Sequence, residues 1–387
     1  MSEELNTRKL PYTRKNKNKK SITAGTVIRR VLLCVFTFVI FAVVFLITAI
    51  NVLVNGECEP LRNRLVLSAT QASATKWLPG LFMPQETVDK IVSDSYIINT
   101  DVMSIEDYYT QDSVQVSQIT HDKWENAIDG MILETVTGPT FTGYVLLVKD
   151  PSRLYIGTSS DFKNNLMGIN IFDMAKKEQP DAIINAGEFA DPGGQGTGNN
   201  PMGLTYSKGE CVWNDGLKRT FIGFDKNNRL VVTESMTKKQ ADEIGIRDGV
   251  SFQNGNTLIT NKDGQITIHY SDYNTGTAQR TAIGQSVDGT MILLVTDGRS
   301  ASSLGATRND VIDVLMKYNA VVAGMLDGGS SSLMYYEDYF NKYDYDTTKL
   351  DEYQKRGLVN RYKAFTNPRR MPTFICVSKE LTEEVAQ

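Results

Sequence analysis

Residues 31–50 read VLLCVFTFVIFAVVFLITAI, twenty positions without a charge. A helix rises about 1.5 Å per residue, so this run spans the roughly 30 Å hydrocarbon core of a bilayer. Nine Lys/Arg and two Asp/Glu lie within residues 1–30, and Glu57 and Glu59 follow the run. That asymmetry predicts a cytoplasmic N-terminus and an external body. A cleaved signal peptide is the rival, but the apolar run is too long and no small-x-small site follows it. The expected layout is a basic cytoplasmic tail at 1–30 and a single membrane-spanning helix at 31–54. A stalk or linker at 55–118, a large external domain at 119–380 and a short tail at 381–387 complete it.

The formal charge of −4 averages a basic tail against an acidic body. An acidic body argues against nucleic-acid binding, which requires a basic surface. Only His121 and His269 are present. Two histidines exclude a multi-histidine zinc site and disfavour a Ser-His-Asp triad. His269 reads as a solvent-facing strand residue. Of the four cysteines, none forms a CxxC pair, so zinc ribbons and thioredoxin-type motifs are excluded. A Cys211–Cys376 disulfide and buried free thiols remain alternatives.

In the stalk, Leu61–Leu78 has helical character ended by Pro79-Gly80, and a second short helix runs from Pro84 to about Ser93. Beyond residue 120 the chain alternates short apolar runs with turn signals. Thr142–Val148 and Arg153–Ile156 read as strands around Lys149-Asp150-Pro151-Ser152. Three hairpins are expected, at Lys226-Asn227-Asn228, Asp263-Gly264 and Asp288-Gly289. The fold class is therefore α+β, a mixed β-sheet domain with hairpins and a βαβ unit, preceded by one transmembrane helix.

The βαβ unit carries the functional argument. Met291–Thr296 is a buried strand ending in Asp297-Gly298-Arg299. Thr307 caps a helix with apolar positions Val311, Val314, Leu315 and Tyr318. Ala320–Leu326 is a second buried strand, ending in Asp327-Gly328-Gly329-Ser330-Ser331. A parallel crossover brings both Asp-Gly ends to one sheet edge, where ligands bind in open α/β sheets. A third strand, Ala182–Asn185, follows a helix at Phe172–Glu178 and ends in Asn185-Ala186-Gly187-Glu188. A Gly-rich loop, Asp191 to Pro201, comes next.

These ends hold carboxylates at Glu188, Asp297 and Asp327. Paired carboxylates are the minimum for glycoside hydrolysis, and with so few histidines they are the natural acids and bases. Gly328, Gly329 and the following serines offer backbone N–H groups and hydroxyls to an anionic oxygen. Arg280 and Arg299 suit the same anion through bidentate contacts. Asp-Gly pairs at strand ends are also ordinary turns, the reading preferred for Asp263 and Asp288. The tyrosine-rich stretch Tyr335–Tyr345 reads either as a sugar-stacking platform or as an acidic insertion.

In order, the chain presents Ile184-Asn185-Ala186-Gly187-Glu188-Phe189, Pro201-Met202-Gly203-Leu204, Ser207-Lys208-Gly209 and Arg280-Thr281-Ala282-Ile283-Gly284. Thr296-Asp297-Gly298-Arg299, Gly305-Ala306-Thr307, Leu326-Asp327-Gly328-Gly329-Ser330-Ser331 and Val359-Asn360-Arg361 follow. This series, covering roughly 120–380, resembles the phosphodiester glycosidase family. Ser330 stands where the family often has a third glycine, and Glu188 where it often has an aromatic. The resemblance implies hydrolysis of a sugar–O–phosphate bond at the anomeric carbon. It implies Asp327, Asp297 and Glu188 as catalytic candidates. Arg280, Arg299, Asn185, Thr281, Gly328, Gly329, Ser330 and Ser331 become substrate- or phosphate-binding candidates. The implied partner is a phosphodiester-linked glycan or wall polymer, with the membrane engaged through residues 31–54. No cofactor is required by the motifs, and Ca²⁺ or Mg²⁺ in the acidic cluster stays open. Two other classes share this topology: a cell-wall glycopolymer phosphotransferase and a non-catalytic glycan-binding surface protein.

Overall fold

A computed structural model describes residues 24–56, 58–70, 75–95, 98–109, 121–162, 166–191, 197–271, 276–298, 300, 303–362 and 367–380. The chain divides into two compact units, Met1–Glu57 and Cys58–Gln387.

In the first unit, helix α1 (Ala24–Asn55) buries none of its side chains. It is long and apolar enough to cross a membrane. Its two hydroxyls are satisfied within the helix: Thr37 donates to the Leu33 carbonyl and Thr48 to that of Val44, each at 2.8 Å. Such back-bonding hides a polar group from an apolar surrounding.

The second unit begins with α2 (Glu59–Thr70), α3 (Gln85–Asp94), β1 (Ile98–Ser104) and α4 (Ile105–Tyr109). Then come β2 (Met131–Thr137), β3 (Thr142–Val148), β4 (Leu154–Thr158), α5 (Ile171–Glu178) and β5 (Ala182–Asn185). Strands β6 (Leu204–Ser207), β7 (Glu210–Asn214), β8 (Thr220–Asp225) and β9 (Leu230–Thr233) precede α6 (Lys238–Ile244). Next are β10 (Ile246–Phe252), β11 (Thr257–Lys262), β12 (Gln265–Ser271), β13 (Thr281–Ser286) and β14 (Met291–Thr296). Helix α7 (Arg308–Lys317), β15 (Ala320–Leu326), β16 (Met334–Tyr336), α8 (Tyr339–Lys342) and β17 (Thr373–Val377) complete the chain. They build an eight-stranded sheet, β1-β12-β11-β15-β13-β14-β3-β2. A five-stranded sheet runs β7-β6-β10-β8-β9, and a four-stranded one β16-β5-β17-β4.

All three expected hairpins form: β8–β9, β11–β12 and β13–β14. The crossover is present with one correction. β14 and β15 are not neighbours, because β13 lies between them and pairs antiparallel with both. The tight Asp288-Gly289 turn sends β13 back along one edge of β14, so α7 crosses two strand positions. β14 and β15 still run parallel, and both Asp-Gly ends leave at the same edge. Their burial comes from layers on either face. A Cβ on Gly284 would meet Leu315 of α7, and one on Gly324 would meet Ile222 and Val232 of the five-stranded sheet. Thr307 caps α7 in a capping box with Asp310, as its sequence implies.

Further differences have physical causes. β3 and β4 flank their turn but belong to different sheets, since β3 pairs with β2 and β14 while β4 pairs with β17. Residues 98–104, read as part of a spacer, form an edge strand against β12. Tyr336, Tyr339 and Phe340 are buried, with Tyr336 stacked on Tyr339 and Phe340 edge-on to it, so this part of the tyrosine run is core rather than platform. Cys211 and Cys376 are free thiols and belong to different apolar clusters. His269 is half-buried, and desolvation together with the nearby Arg308 charge keeps its pKa below the usual imidazole value.

Candidate active site

Three strand ends and one strand start meet at the edge of the large sheet. β14 delivers Asp297, β15 delivers Asp327, β5 delivers Asn185 to Glu188, and β13 begins after Arg280. The Asp327 N–H donates to the Ala186 carbonyl at 3.0 Å, and the Asp297 N–H to the Thr142 carbonyl at 2.8 Å. Gln279 joins the two Asp-Gly loops. Its carbonyl accepts from Gly329 N at 2.9 Å, and its side-chain amide donates to the Gly298 carbonyl at 3.1 Å. Gly329 has φ +63°, in the left-handed region that glycine adopts most readily. With β13 between them, the β14 and β15 backbones stand about 10 Å apart.

The environments of the carboxyl groups differ. Desolvation pushes Asp327 up to about 7, and the nearby negative Glu188 adds to it, against the Ser331 hydroxyl and the Gly328 N–H. Part of the residue is reachable from a cavity, but its carboxyl is packed round by protein. Desolvation likewise pushes Asp297 up to about 6, although it accepts from Arg361 N at 3.0 Å and the Tyr144 hydroxyl at 3.2 Å. Glu188 is raised by burial and partly offset by Arg219, which approaches to 2.9 Å with its N–H not aligned to the oxygen. Buried carboxylates with elevated pKa values at one sheet edge mark a candidate acid–base centre.

A cavity of about 340 Å³ opens on Asp327, Gly328, Gly329, Arg280 and Arg308. Arg280 is anchored by the carbonyls of Ala306 at 3.1 Å and Gly276 at 2.5 Å. The β10–β11 loop, from Gln253 to Asn256, forms another wall. Arg308 fixes that loop. Its guanidinium donates to the carbonyls of Gly255 at 2.6 Å, His269 at 3.0 Å and Thr257.

The binding candidates separate into distinct roles. Asn185, fully buried, donates to the Asp327 carbonyl at 2.6 Å. Its side-chain oxygen accepts from the Thr281 hydroxyl at 2.8 Å and from Leu333 N at 3.1 Å. Asn185 and Thr281 are thus a scaffold under Asp327 and do not line the cavity. Gly328 and Gly329 line it, but the Gly329 N–H is spent on Gln279 and the Gly328 N–H faces Asp327. An anion nest made of both amides is therefore not formed. Ser331 is fully buried, while Ser330 is exposed and its hydroxyl accepts from Arg369 at 3.2 Å. Arg299 lies outside the described residues. So does part of the Gly-rich loop, residues 192–196. Among the described residues no group of three or more His, Cys, Asp or Glu is arranged to hold a metal, so the Ca²⁺ or Mg²⁺ alternative finds no ligand set there.

Sequence reasoning missed Tyr144, Arg219, Arg308 and Arg369. Only Arg308 had a legible signal. A cation at the first position of a helix opposes the macrodipole, so its presence there calls for another purpose. Arg369 ion-pairs with Asp191 and lies 5.1 Å from the Phe189 ring, contacts between residues about 180 apart in sequence that no local pattern announces.

The sheet edge thus gathers three raised-pKa carboxyl groups, of which Asp327 lines the cavity together with Arg280 and Arg308. The chain belongs to the phosphodiester glycosidase family, whose model matches residues 178–378, just over half of its length. The SPbeta prophage-derived uncharacterized protein YomE of Bacillus subtilis is 28% identical over 202 residues, 47% of this chain. The match spans 27% of that relative, so the chain covers about a quarter of its length. Two solved structures are also similar. One is the zebrafish N-acetylglucosamine-1-phosphodiester alpha-N-acetylglucosaminidase catalytic domain auto-inhibited by its pro-peptide. It has 18% identity and a TM-score of 0.49 over 73% of this chain and 89% of that one. The other is a hypothetical protein from Synechocystis, with 14% identity and a TM-score of 0.42 over 65% and 62%.

Proposed function

We propose that this protein is a membrane-anchored hydrolase that cleaves a sugar 1-phosphodiester at the anomeric carbon, on a cell-surface glycan or polymer. The observation that carries this reading is Asp327, raised to about 7, on the same cavity as Arg280 within a phosphodiester glycosidase domain. Arg280 neutralises the bridging phosphate and stabilises its departure. Water attacks the anomeric carbon as the carbon–oxygen bond to phosphate breaks. The electron pair leaves on the phosphomonoester, and the water proton passes to a carboxylate. The leaving phosphate is a weak base, so acid assistance is needed less than for an ordinary glycoside. Helix α1 is the anchor, with the basic N-terminus in the cytoplasm and the family domain outside.

The test uses the full chain in detergent with UDP-N-acetylglucosamine and a methyl N-acetylglucosamine 1-phosphate diester, with and without EDTA. Free sugar is the expected product, and its loss in EDTA would assign a cation. Absence of free sugar from both substrates would overturn the activity. Transfer of a phospho-glycan onto an acceptor, without sugar release, would mark a transferase instead.

A further inference from the structure

The same cavity has a wall that the family match does not reach. Leu67 and Thr70 of α2, and Val92 and Ser95 at the end of α3, line it. All four precede residue 178, where the matched region begins. The helices are attached to the domain at both ends. Thr277 N donates to the Ser68 hydroxyl at 3.0 Å, and the Ser271 hydroxyl donates to the Ser95 carbonyl at 3.2 Å. A Cβ on Gly276 would come within 2.3 Å of Ser68 N, so glycine is what allows α2 to approach. The Gly276 carbonyl in turn holds Arg280. α2 therefore sits directly on the segment that positions the phosphate-binding arginine.

The chemistry of this wall is specific. The Thr70 hydroxyl donates to the Val66 carbonyl at 3.0 Å, and the Ser95 hydroxyl to the Val92 carbonyl at 2.6 Å. Each proton is committed within the helix, so each oxygen keeps its lone pairs as an acceptor. Leu67 and Val92 add apolar surface beside them. Acceptors set among apolar groups suit the hydroxyls and C–H face of a sugar and repel a phosphate, whose place is with Arg280. A volume of about 340 Å³ lies at the small end of ligand sites and holds about one sugar phosphate.

We infer that α2 and α3 form the sugar-facing wall of the cavity and select a single glycosyl group, with the phosphate held at Arg280. This rests on the sugar-phosphodiester reading of the site. Calorimetry on the full chain in detergent tests it with N-acetylglucosamine 1-phosphate and, separately, inorganic phosphate. Thr70→Tyr fills the cavity from the helix, and Val92→Ala removes apolar contact without adding bulk. Thr70→Tyr is expected to weaken the sugar phosphate at least tenfold and Val92→Ala a few-fold, with inorganic phosphate unchanged within twofold. Unchanged sugar-phosphate affinity in both variants would overturn the inference. So would a parallel loss of inorganic phosphate, tighter binding in Val92→Ala, or no binding by the wild type. If the binding pattern holds but no diester is hydrolysed, the wall stands and the proposed activity falls.

Discussion

Asp327 and Asn185 act as a pair at the level of single residues, one exposed to the cavity and the other holding its backbone. Asp327→Asn keeps the shape and removes the titrating proton. It is expected to lower kcat by 10³-fold or more, with a near wild-type circular dichroism spectrum; wild-type turnover would exclude Asp327 from the site. Asn185→Ala leaves Leu333 N and the Asp327 carbonyl without their partner. Such buried losses cost about 2–4 kcal/mol together. A denaturant titration should show that loss, along with reduced kcat. The carboxyl groups also set a pH dependence. Asp327 and Asp297 have folded pKa values of about 7 and about 6, above the ordinary 3.8. Raised carboxyl pKa values contribute stability that is full below pH ~4 and lost as pH climbs through 6 and 7. Melting temperatures at pH 5 and pH 8 should therefore differ less in Asp297→Asn than in wild type. An equal difference would refute the shift. The delivery of Asp297 and Asp327 to one sheet edge was readable from their Asp-Gly strand ends. The supporting roles of Asn185 and Thr281 were not, because a buried amide that braces a backbone looks, in sequence, like one that binds a ligand.

Among the elements, α7 and the β10–β11 loop are coupled through Arg308. Its guanidinium satisfies three backbone carbonyls, and burial lowers its pKa to about 10. Arg308→Met strands those carbonyls and is expected to destabilise the domain by about 3 kcal/mol or more, measured by chemical denaturation. The cap of the same helix contributes less: Thr307→Ala should cost about 1 kcal/mol. Strands and hairpins were legible because alternation and Asp-Gly or Asn-rich turns act over windows of a few residues. The sheet order was not. β13 separates β14 from β15, and β1 pairs with a strand more than 160 residues away, Ser104 facing Gln265. No local pattern encodes a partner at that distance.

For the whole molecule, the proposed anchoring of the family domain by α1 makes a prediction about orientation that can be measured. Cys58 is exposed, Cys376 is buried and Cys211 is partly covered. If the domain lies outside, a membrane-impermeant maleimide should label intact cells through Cys58, and Cys58→Ser should remove most of the label. Label appearing only after lysis would place the domain in the cytoplasm. By itself the sequence determined the long apolar helix, the acidic body, the hairpins, and two aspartates delivered to one sheet edge. Each follows from hydrophobic run length, charge balance or turn chemistry, which are properties of neighbouring residues. Tertiary structure alone decided that helices α2 and α3 wall the cavity, that the glycine amides turn inward, and that desolvation lifts the aspartates toward neutrality. Those outcomes depend on which distant surfaces exclude water from one another, and burial is a property of the assembled fold.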